Sequence, residues 1–337
     1  MTETLKIVIP MAGLGTRLRP LTWSRPKPLI SLAGRTVLDH LLDMFLSVPG
    51  AEHAEYVFIL SPNQRDLIQE HMAKNHAGKQ VHYVLQPEMK GQSDAIWQAR
   101  EYLKGRMLMV FSDTLIENRY EFLANERHDA VAWVKAVPDP RRFGVAEVNS
   151  SGMVTRLIEK PRDMNNNLAV VGFYYFREAE KLLEAIEEQI KREIALRGEF
   201  YLVDAINILL DKGIQMRTES VETWLDAGTP EALLDTNRYL LEHGRDNTNK
   251  IKESDDNVII PPVYIHPEAR INGSIIGPFT SIGAGSVIQS SIIRDTVISP
   301  GAHVTNTHLD GSILGHHVVL NGIMGKFNLG DNCWGSW

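Results

Sequence analysis

Pro10-Met11-Ala12-Gly13-Leu14-Gly15-Thr16-Arg17-Leu18-Arg19-Pro20-Leu21-Thr22, followed by Pro26-Lys27-Pro28-Leu29, is the stretch on which the fold turns. It leaves directly from an apolar run, Leu5 to Pro10, that reads as a first strand. A glycine-rich turn placed there lets backbone N–H groups come close to a phosphate, because no Cβ intervenes. Two common phosphate loops do not fit. A dinucleotide-binding fingerprint needs glycine where Leu18 stands, and a P-loop needs Gly-Lys-Ser/Thr, which this loop lacks. Arg17 and Lys27, with prolines stiffening the chain around the second, supply the spread positive charge that a polyphosphate requires. Standing alone, the segment is equally a solvated basic loop.

Outward from the loop, short apolar runs alternate with amphipathic segments as far as about residue 243, the pattern of an α/β domain layered on a largely parallel sheet. Tyr56 to Leu60, Val81 to Leu85 and Met107 to Phe111 read as strands; Val37 to Leu46, Gln64 to Lys74 and Asp94 to Leu103 read as helices. A longer helix is predicted over Ala179 to Leu196, with Leu182, Leu183, Ile186, Ile190 and Ile194 on one face. Thr229-Pro230 supplies an N-cap and a proline at the first helical position, for a helix ending near His243.

Carboxylates fall where open α/β sheets bind ligands. Phe111-Ser112-Asp113-Thr114 ends an apolar strand, and Trp224-Leu225-Asp226-Ala227-Gly228-Thr229 turns from strand to helix. Asp113 and Asp226 could share a Mg²⁺, which binds through one or two carboxylates plus substrate phosphates; for a single turn of this type, a turn or cap role for Asp226 is the commoner explanation. Glu159-Lys160-Pro161 closes a strand over Val154 to Ile158, where an isolated Glu-Lys pair is usually a surface feature.

A polar run, Asp246 to Asn257, marks a boundary, so that 1–245 is one domain, 246–257 a linker and 258–337 another domain. In the last of these, aliphatics recur at six residues: Ile265 and Ile271; Ile276, Ile282 and Ile288; Ile298 and Val304; Leu314 and Leu320. Hexapeptide repeats of this kind predict a parallel β-helix in preference to an irregular sandwich. Exposed coil ends in such a tail favour homo-oligomerisation.

Composition limits the partners. Forty-two acidic against 35 basic residues give a net charge of −7, which argues against nucleic acid. Cys333 is the single cysteine, so no intrachain disulfide is possible and a reducing, cytoplasmic compartment is expected. No signal-peptide pattern and no run apolar enough for a membrane span are present in the sequence.

The loop signature, followed in order by Gln86, Gly91 with Asp94-Ala95, Asp113, Phe143-Gly144-Val145, Glu159-Lys160-Pro161, Ala169 to Gly172 and Trp224 to Thr229, resembles the sugar-1-phosphate nucleotidylyltransferases. The resemblance covers roughly residues 5 to 243 and implies a Rossmann-like three-layer α/β/α domain, with a left-handed β-helix as a frequent companion. It implies that Ala12, Gly13, Leu14, Gly15 and Thr16 with Arg17 hold a nucleoside triphosphate, and that Lys27 stabilises charge at the α-phosphate. Gln86 and Gly91 would receive the base. Gly144, Glu159, Lys160, Val171 and Asp226 would bind the sugar phosphate, and Asp113 and Asp226 would carry Mg²⁺. The implied substrates are dTTP or UTP, with an adenosine nucleotide as the lesser alternative, and glucose 1-phosphate. Thr114 stands where glucose-1-phosphate thymidylyltransferases typically carry an asparagine, and Phe143 stands for a frequent tyrosine. Two rival readings remain: a non-catalytic nucleotide-sugar sensor, expected to lack Arg17, Lys27, Asp113 or Asp226, and a bifunctional enzyme with acyltransferase chemistry in the tail, where His303, His308, His316 and His317 lie.

Overall fold

The apolar runs become the centre of a mixed sheet. In this computed structural model, residues 4–251 and 255–336 are described, and the chain forms two compact units: Met1–Gly13 with Leu41–Trp224, and Leu14–His40 with Leu225–Trp337.

In the first unit the strand Lys6–Pro10 lies between Glu55–Leu60 and Met107–Val110, parallel to both, and Gln80–Leu85 extends the parallel edge. The sheet turns antiparallel at Leu168–Phe176, which pairs with Met107–Val110, Ala130–Ala136 and Gly144–Val148. Val154–Glu159 lies antiparallel outside Gly144–Val148, and Met216–Ser220 runs parallel to Ala130–Ala136, giving nine strands among the described residues. Val57, Phe58, Ile59 and Leu60 are all fully buried, as both faces of a covered sheet require. Helices Gln92–Gln98, Ala179–Lys191 and Leu202–Asp211 pack Ala95, Ile96, Leu182, Ile186, Leu202 and Ile206 on one face. On the other, Phe173 stacks on Phe45 and meets Trp133 edge-on at 4.6 Å.

The long helix stops at Lys191, five residues short of the expected end. Buried Gln189 turns its amide to the carbonyls of Ile194 (3.2 Å) and Tyr201 (2.9 Å), and Glu193 takes a left-handed φ of 54°. The Gln189 amide thus bonds carbonyls of the segment that follows the helix, and that segment folds back across the helix end.

In the second unit, residues 258–336 wind into three parallel sheets of five short strands each, the left-handed parallel β-helix. Three interior rows stack in register: Ile259 on Ile276, Ile293 and Leu309; Ile265 on Ile282, Ile298 and Leu314; Ile271 on Ile288, Val304 and Leu320. Stacked partners are seventeen residues apart at the start (Ile265 to Ile282) and fifteen at the end (Leu314 to Leu329), because some corners advance by fewer than six residues.

The first coil is capped from the side that precedes it. Asn247 accepts from Ile265 N–H and donates to Ile265 O, both at 2.9 Å, so that one carboxamide serves as a neighbouring strand. Ile251 packs on the same core. The described part of the polar run at 246–257 is therefore hydrogen-bonded to the helix that follows; residues 252–254 lie outside the described residues.

Leu14–His40 packs with this tail. Leu18, Leu21, Ile30, Leu32 and Val37 form one buried cluster with Ala227, Leu233 and Leu234 and with Val297 and Ile313 of the coils. Buried Asn237, on the helix Pro230–Leu240, accepts from Ala33 N–H (2.9 Å) and Ser281 Oγ (2.7 Å) and donates to Phe279 O (3.1 Å). The Thr229 hydroxyl caps this helix at Ala232 N–H, as the sequence predicts.

Candidate active site

The glycine-rich loop divides between the units: Ala12 and Gly13 close the first strand of one, and Leu14, Gly15 and Thr16 belong to the other. Gln64 donates to Gly13 O at 3.2 Å while its own Oε1 accepts from Ser61 N–H, a capping box that also steadies the turn. Gly15 has φ +59°, and a Cβ there would stand 3.0 Å from the Thr22 methyl and 3.4 Å from Lys27 Cβ. Thr22 Oγ1 donates to Gly15 O at 2.7 Å. Short 3-10 turns at Thr16–Leu18, Leu21–Trp23 and Lys27–Leu29 complete the loop, and Lys27 is buried.

In the same unit Arg17 and Asp226 converge on Gly228. A Cβ at Gly228 would lie 2.7 Å from Asp226 Oδ1 and 3.1 Å from the Arg17 guanidinium. Only a glycine leaves that space open. Asp226 ends the strand Thr223–Asp226, and its carbonyl accepts from Thr236 Oγ1.

In the first unit, the Gln86 amide donates to Gly91 O (3.0 Å) and Asp94 Oδ2 (2.7 Å). Both N–H groups are spent, so Oε1 is what this amide has to offer. Gly91 takes φ +98°, with a Cβ position only 2.5 Å from Phe200 O. Asp113 sits in the turn between Met107–Val110 and Thr114–Glu117, half-buried. Thr114 is buried and donates its hydroxyl to Val171 O at 2.8 Å, so this side chain ties the Asp113 turn to the strand carrying Val171. Beside it Gly172 takes φ +79° where Leu168–Phe176 slips register, and a Cβ would lie 2.5 Å from the Phe111 ring.

Gly144 pairs with Glu159 across neighbouring strands; a Cβ on Gly144 would stand 3.3 Å from Glu159 Oε2. Burial raises the Glu159 carboxyl above its usual range, against the pull of Lys160. Burial acts to lower the Lys160 ammonium, and Glu159 with Tyr201 outweighs it, so that the cation is held. Lys160 Nζ lies 3.3 Å from Glu159 Oε1 and 4.8 Å from the centre of the Tyr201 ring. Phe143 packs edge-on against Trp224, and its carbonyl accepts from Lys160 N–H.

The structure thus brings Gln86 to Gly91, Glu159 and Lys160 to Gly144, Thr114 to Val171, Gly15 to Lys27 and Arg17 to Asp226. Sequence reasoning missed Thr22 and Tyr201 and saw Gly228 only as a turn residue. Tyr201 carries no motif and lies 41 residues from Lys160. In the tail, His303 and His317 are exposed, while His316 and His308 are half-buried. The carboxylate oxygens of Asp113 in the first unit and of Asp226 in the second are each hard donors of the kind Mg²⁺ takes.

Comparison with known proteins places the chain among nucleotide-handling transferases. The chain belongs to the nucleotidyl transferase family, whose sequence profile matches residues 6–243. It is 27% identical to glucose-1-phosphate thymidylyltransferase of Streptomyces griseus over 339 residues, covering 94% of this chain and 93% of that one. Bifunctional protein GlmU of Methanocaldococcus jannaschii is 32% identical over 268 residues, 78% of this chain but 60% of GlmU. Among solved structures, UDP-glucose pyrophosphorylase of Acinetobacter baumanii matches with a TM-score of 0.59 at 20% identity, over 72% of this chain and 95% of that one, a likeness of fold.

Proposed function

We propose that the protein condenses a nucleoside triphosphate, dTTP or UTP, with a sugar 1-phosphate, glucose 1-phosphate foremost, to give a nucleoside-diphosphate sugar and pyrophosphate. The observation that carries this reading is the Gln86 amide, fixed by Gly91 and Asp94 with Oε1 left as an acceptor, which suits the N3–H of uracil or thymine. Support for the sugar phosphate comes from Lys160, a held cation beside a half-buried carboxylate that can accept from sugar hydroxyls.

A phosphate oxygen of the sugar 1-phosphate attacks the α-phosphorus in line; the new O–P bond forms as the bond to the β-phosphate oxygen breaks, and pyrophosphate leaves with that electron pair. The nucleophile is already ionised, so no general base is needed. The work is alignment and neutralisation of two anions. Arg17 and the Gly13 to Thr16 backbone hold the triphosphate, Lys27 stabilises charge building at the α-phosphate, and Lys160 aims the sugar phosphate. The resemblance gives Asp113 and Asp226 as ligands of Mg²⁺, which when bound neutralises phosphate charge. Residues 258–337 serve self-association, supported by Trp334 and Met324, 79% and 76% exposed on the last coil. A cytoplasmic site of action fits the substrates; among the described residues no helix is long and apolar enough to cross a membrane.

Pyrophosphate release with Mg²⁺ across a grid of nucleoside triphosphates and sugar 1-phosphates tests the reading. Release with one pair identifies both substrates, whereas silence with retained binding of nucleotide sugars makes the protein a sensor.

A further inference from the structure

Gln86 and Lys160 are joined by a continuous line of short contacts within one unit. Gln86 Nε2 donates to Gly91 O at 3.0 Å. Gly91 lies against the backbone of Phe200, where a Cβ would meet the nitrogen at 2.6 Å and the carbonyl oxygen at 2.5 Å. Hydrogen bonds flank that contact on both sides: Phe200 N–H to Lys90 O at 2.8 Å and Ser93 N–H to Phe200 O at 3.1 Å. The next residue, Tyr201, is held at its carbonyl by buried Gln189 (2.9 Å), and its ring lies under Lys160, with the hydroxyl 3.5 Å from Nζ. Leu202 N–H closes the strap on Gln92 Oε1 at 3.3 Å.

We propose that Tyr201 is a positioning residue that acts through Lys160, and that the Phe200–Tyr201 strap couples the base-reading turn to the sugar-phosphate cation. The inference rests on the reading of Gln86 and Lys160 given above. Lys160 needs such help because its side chain is long and 52% exposed, and its backbone is held at φ +47° by the bond from its N–H to Phe143 O. Glu159 fixes the ammonium from one side and the Tyr201 face from another. A base settling against Gly91 bears on the segment that carries Tyr201, so a bound nucleoside triphosphate steadies the cation that receives the second substrate. By linkage the sugar phosphate tightens the nucleotide by the same factor.

Tyr201→Leu keeps apolar bulk and removes the ring face and hydroxyl; Tyr201→Phe keeps the face. The expected result is that Tyr201→Leu raises KM for the sugar 1-phosphate about fivefold or more at saturating nucleotide while Kd for the nucleotide alone stays within about twofold, with Tyr201→Phe close to wild type. Calorimetry with the sugar 1-phosphate, with and without a non-hydrolysable nucleotide analogue, should show a tightening of about fivefold in wild type that Tyr201→Leu abolishes. A matching rise in Kd for the nucleotide alone, or tightening unchanged in Tyr201→Leu, overturns the proposal. A third measurement is independent of turnover: without substrates, acylation of Lys160 by an amine reagent, followed by peptide mass spectrometry, should be faster in Tyr201→Leu than in wild type or Tyr201→Phe. If no substrate pair releases pyrophosphate, the enzymatic reading fails by that result alone, while unchanged Lys160 labelling refutes the Tyr201 contact itself.

Discussion

Arg25 Nε stands 3.0 Å from Asp331 Oδ2, an ion pair closed across 306 residues of chain. Asp331 is nearly buried, at 8% side-chain exposure, and its other oxygen accepts from His316 N–H at 2.7 Å. Nearby, Asn328 donates to Arg19 O, and a Cβ at Gly330 would lie 2.9 Å from Pro20 O. The loop that carries Arg17 and Lys27 is therefore clipped to the last coil. Arg25→Ala and Asp331→Asn should each cost about 1 kcal/mol of stability and raise KM for the nucleotide several-fold, with KM for the sugar phosphate little changed. Initial-rate kinetics beside thermal melts check this; equal changes in both KM values would place the pair outside nucleotide binding.

Gly172→Ala should damage both stability and turnover. The residue has φ +79°, its carbonyl accepts from Phe111 N–H, and the Phe111 ring occupies the place of a Cβ, two residues from Asp113. A loss of roughly 2 kcal/mol or more is expected. Gly152→Ala is the matched control: φ is +75°, with no atom within 4 Å of its Cβ position, so only backbone strain of about 1 kcal/mol is added and turnover should survive. Similar turnover in the two variants would dissociate Gly172 from the Asp113 turn.

Lys27→Ala should lower kcat by about 10²–10³-fold, the size of effect seen when a charge stabiliser of the transition state is removed. Binding of the sugar phosphate, measured by calorimetry, should change much less. A variant with normal kcat would exclude Lys27 from the chemistry.

Acid should loosen the tail unit before it affects the rest. Burial, with the Arg25 cation and His317, pushes the His316 imidazole down to about 4 against the pull of Asp331, from an ordinary value of 6.5. Between those values the unfolded chain binds a proton that the folded chain does not, so this contribution to stability is complete above about pH 6.5 and lost as pH falls toward 4. Thermal melts from about pH 7 down to about pH 4.5 should show a steeper decline in wild type than in His316→Gln; parallel curves would contradict the assignment.

Periodicity made much of the fold legible. The strands around Lys6–Pro10 and the six-residue steps from Ile276 to Ile288 leave a repeating trace in the sequence because neighbouring side chains share one environment. Ile293 and Leu309 escaped because each follows its predecessor in the core by five residues, where the corner is shorter. Asp331, Asn237 and Tyr201 escaped for another reason. Their partners lie 306, 44 and 41 residues away, and a single long-range contact leaves no period to detect. Thr114 was legible as a departure from a related pattern, but its bond to Val171 O needed the bulge at Gly172 to be seen.

The packing of Leu14–His40 against the coils bears on how such enzymes can be recombined. A graft that exchanges tails between relatives at the polar run near Asp246 would leave Leu18, Leu21 and Ile30 facing foreign counterparts of Val297 and Ile313, and Arg25 facing a foreign residue at 331. Crossovers that carry residues 14–40 together with 225–337 keep those partners matched. The same inheritance should mark natural sequences, with substitutions between 18 and 32 accompanied by compensating ones between 297 and 331.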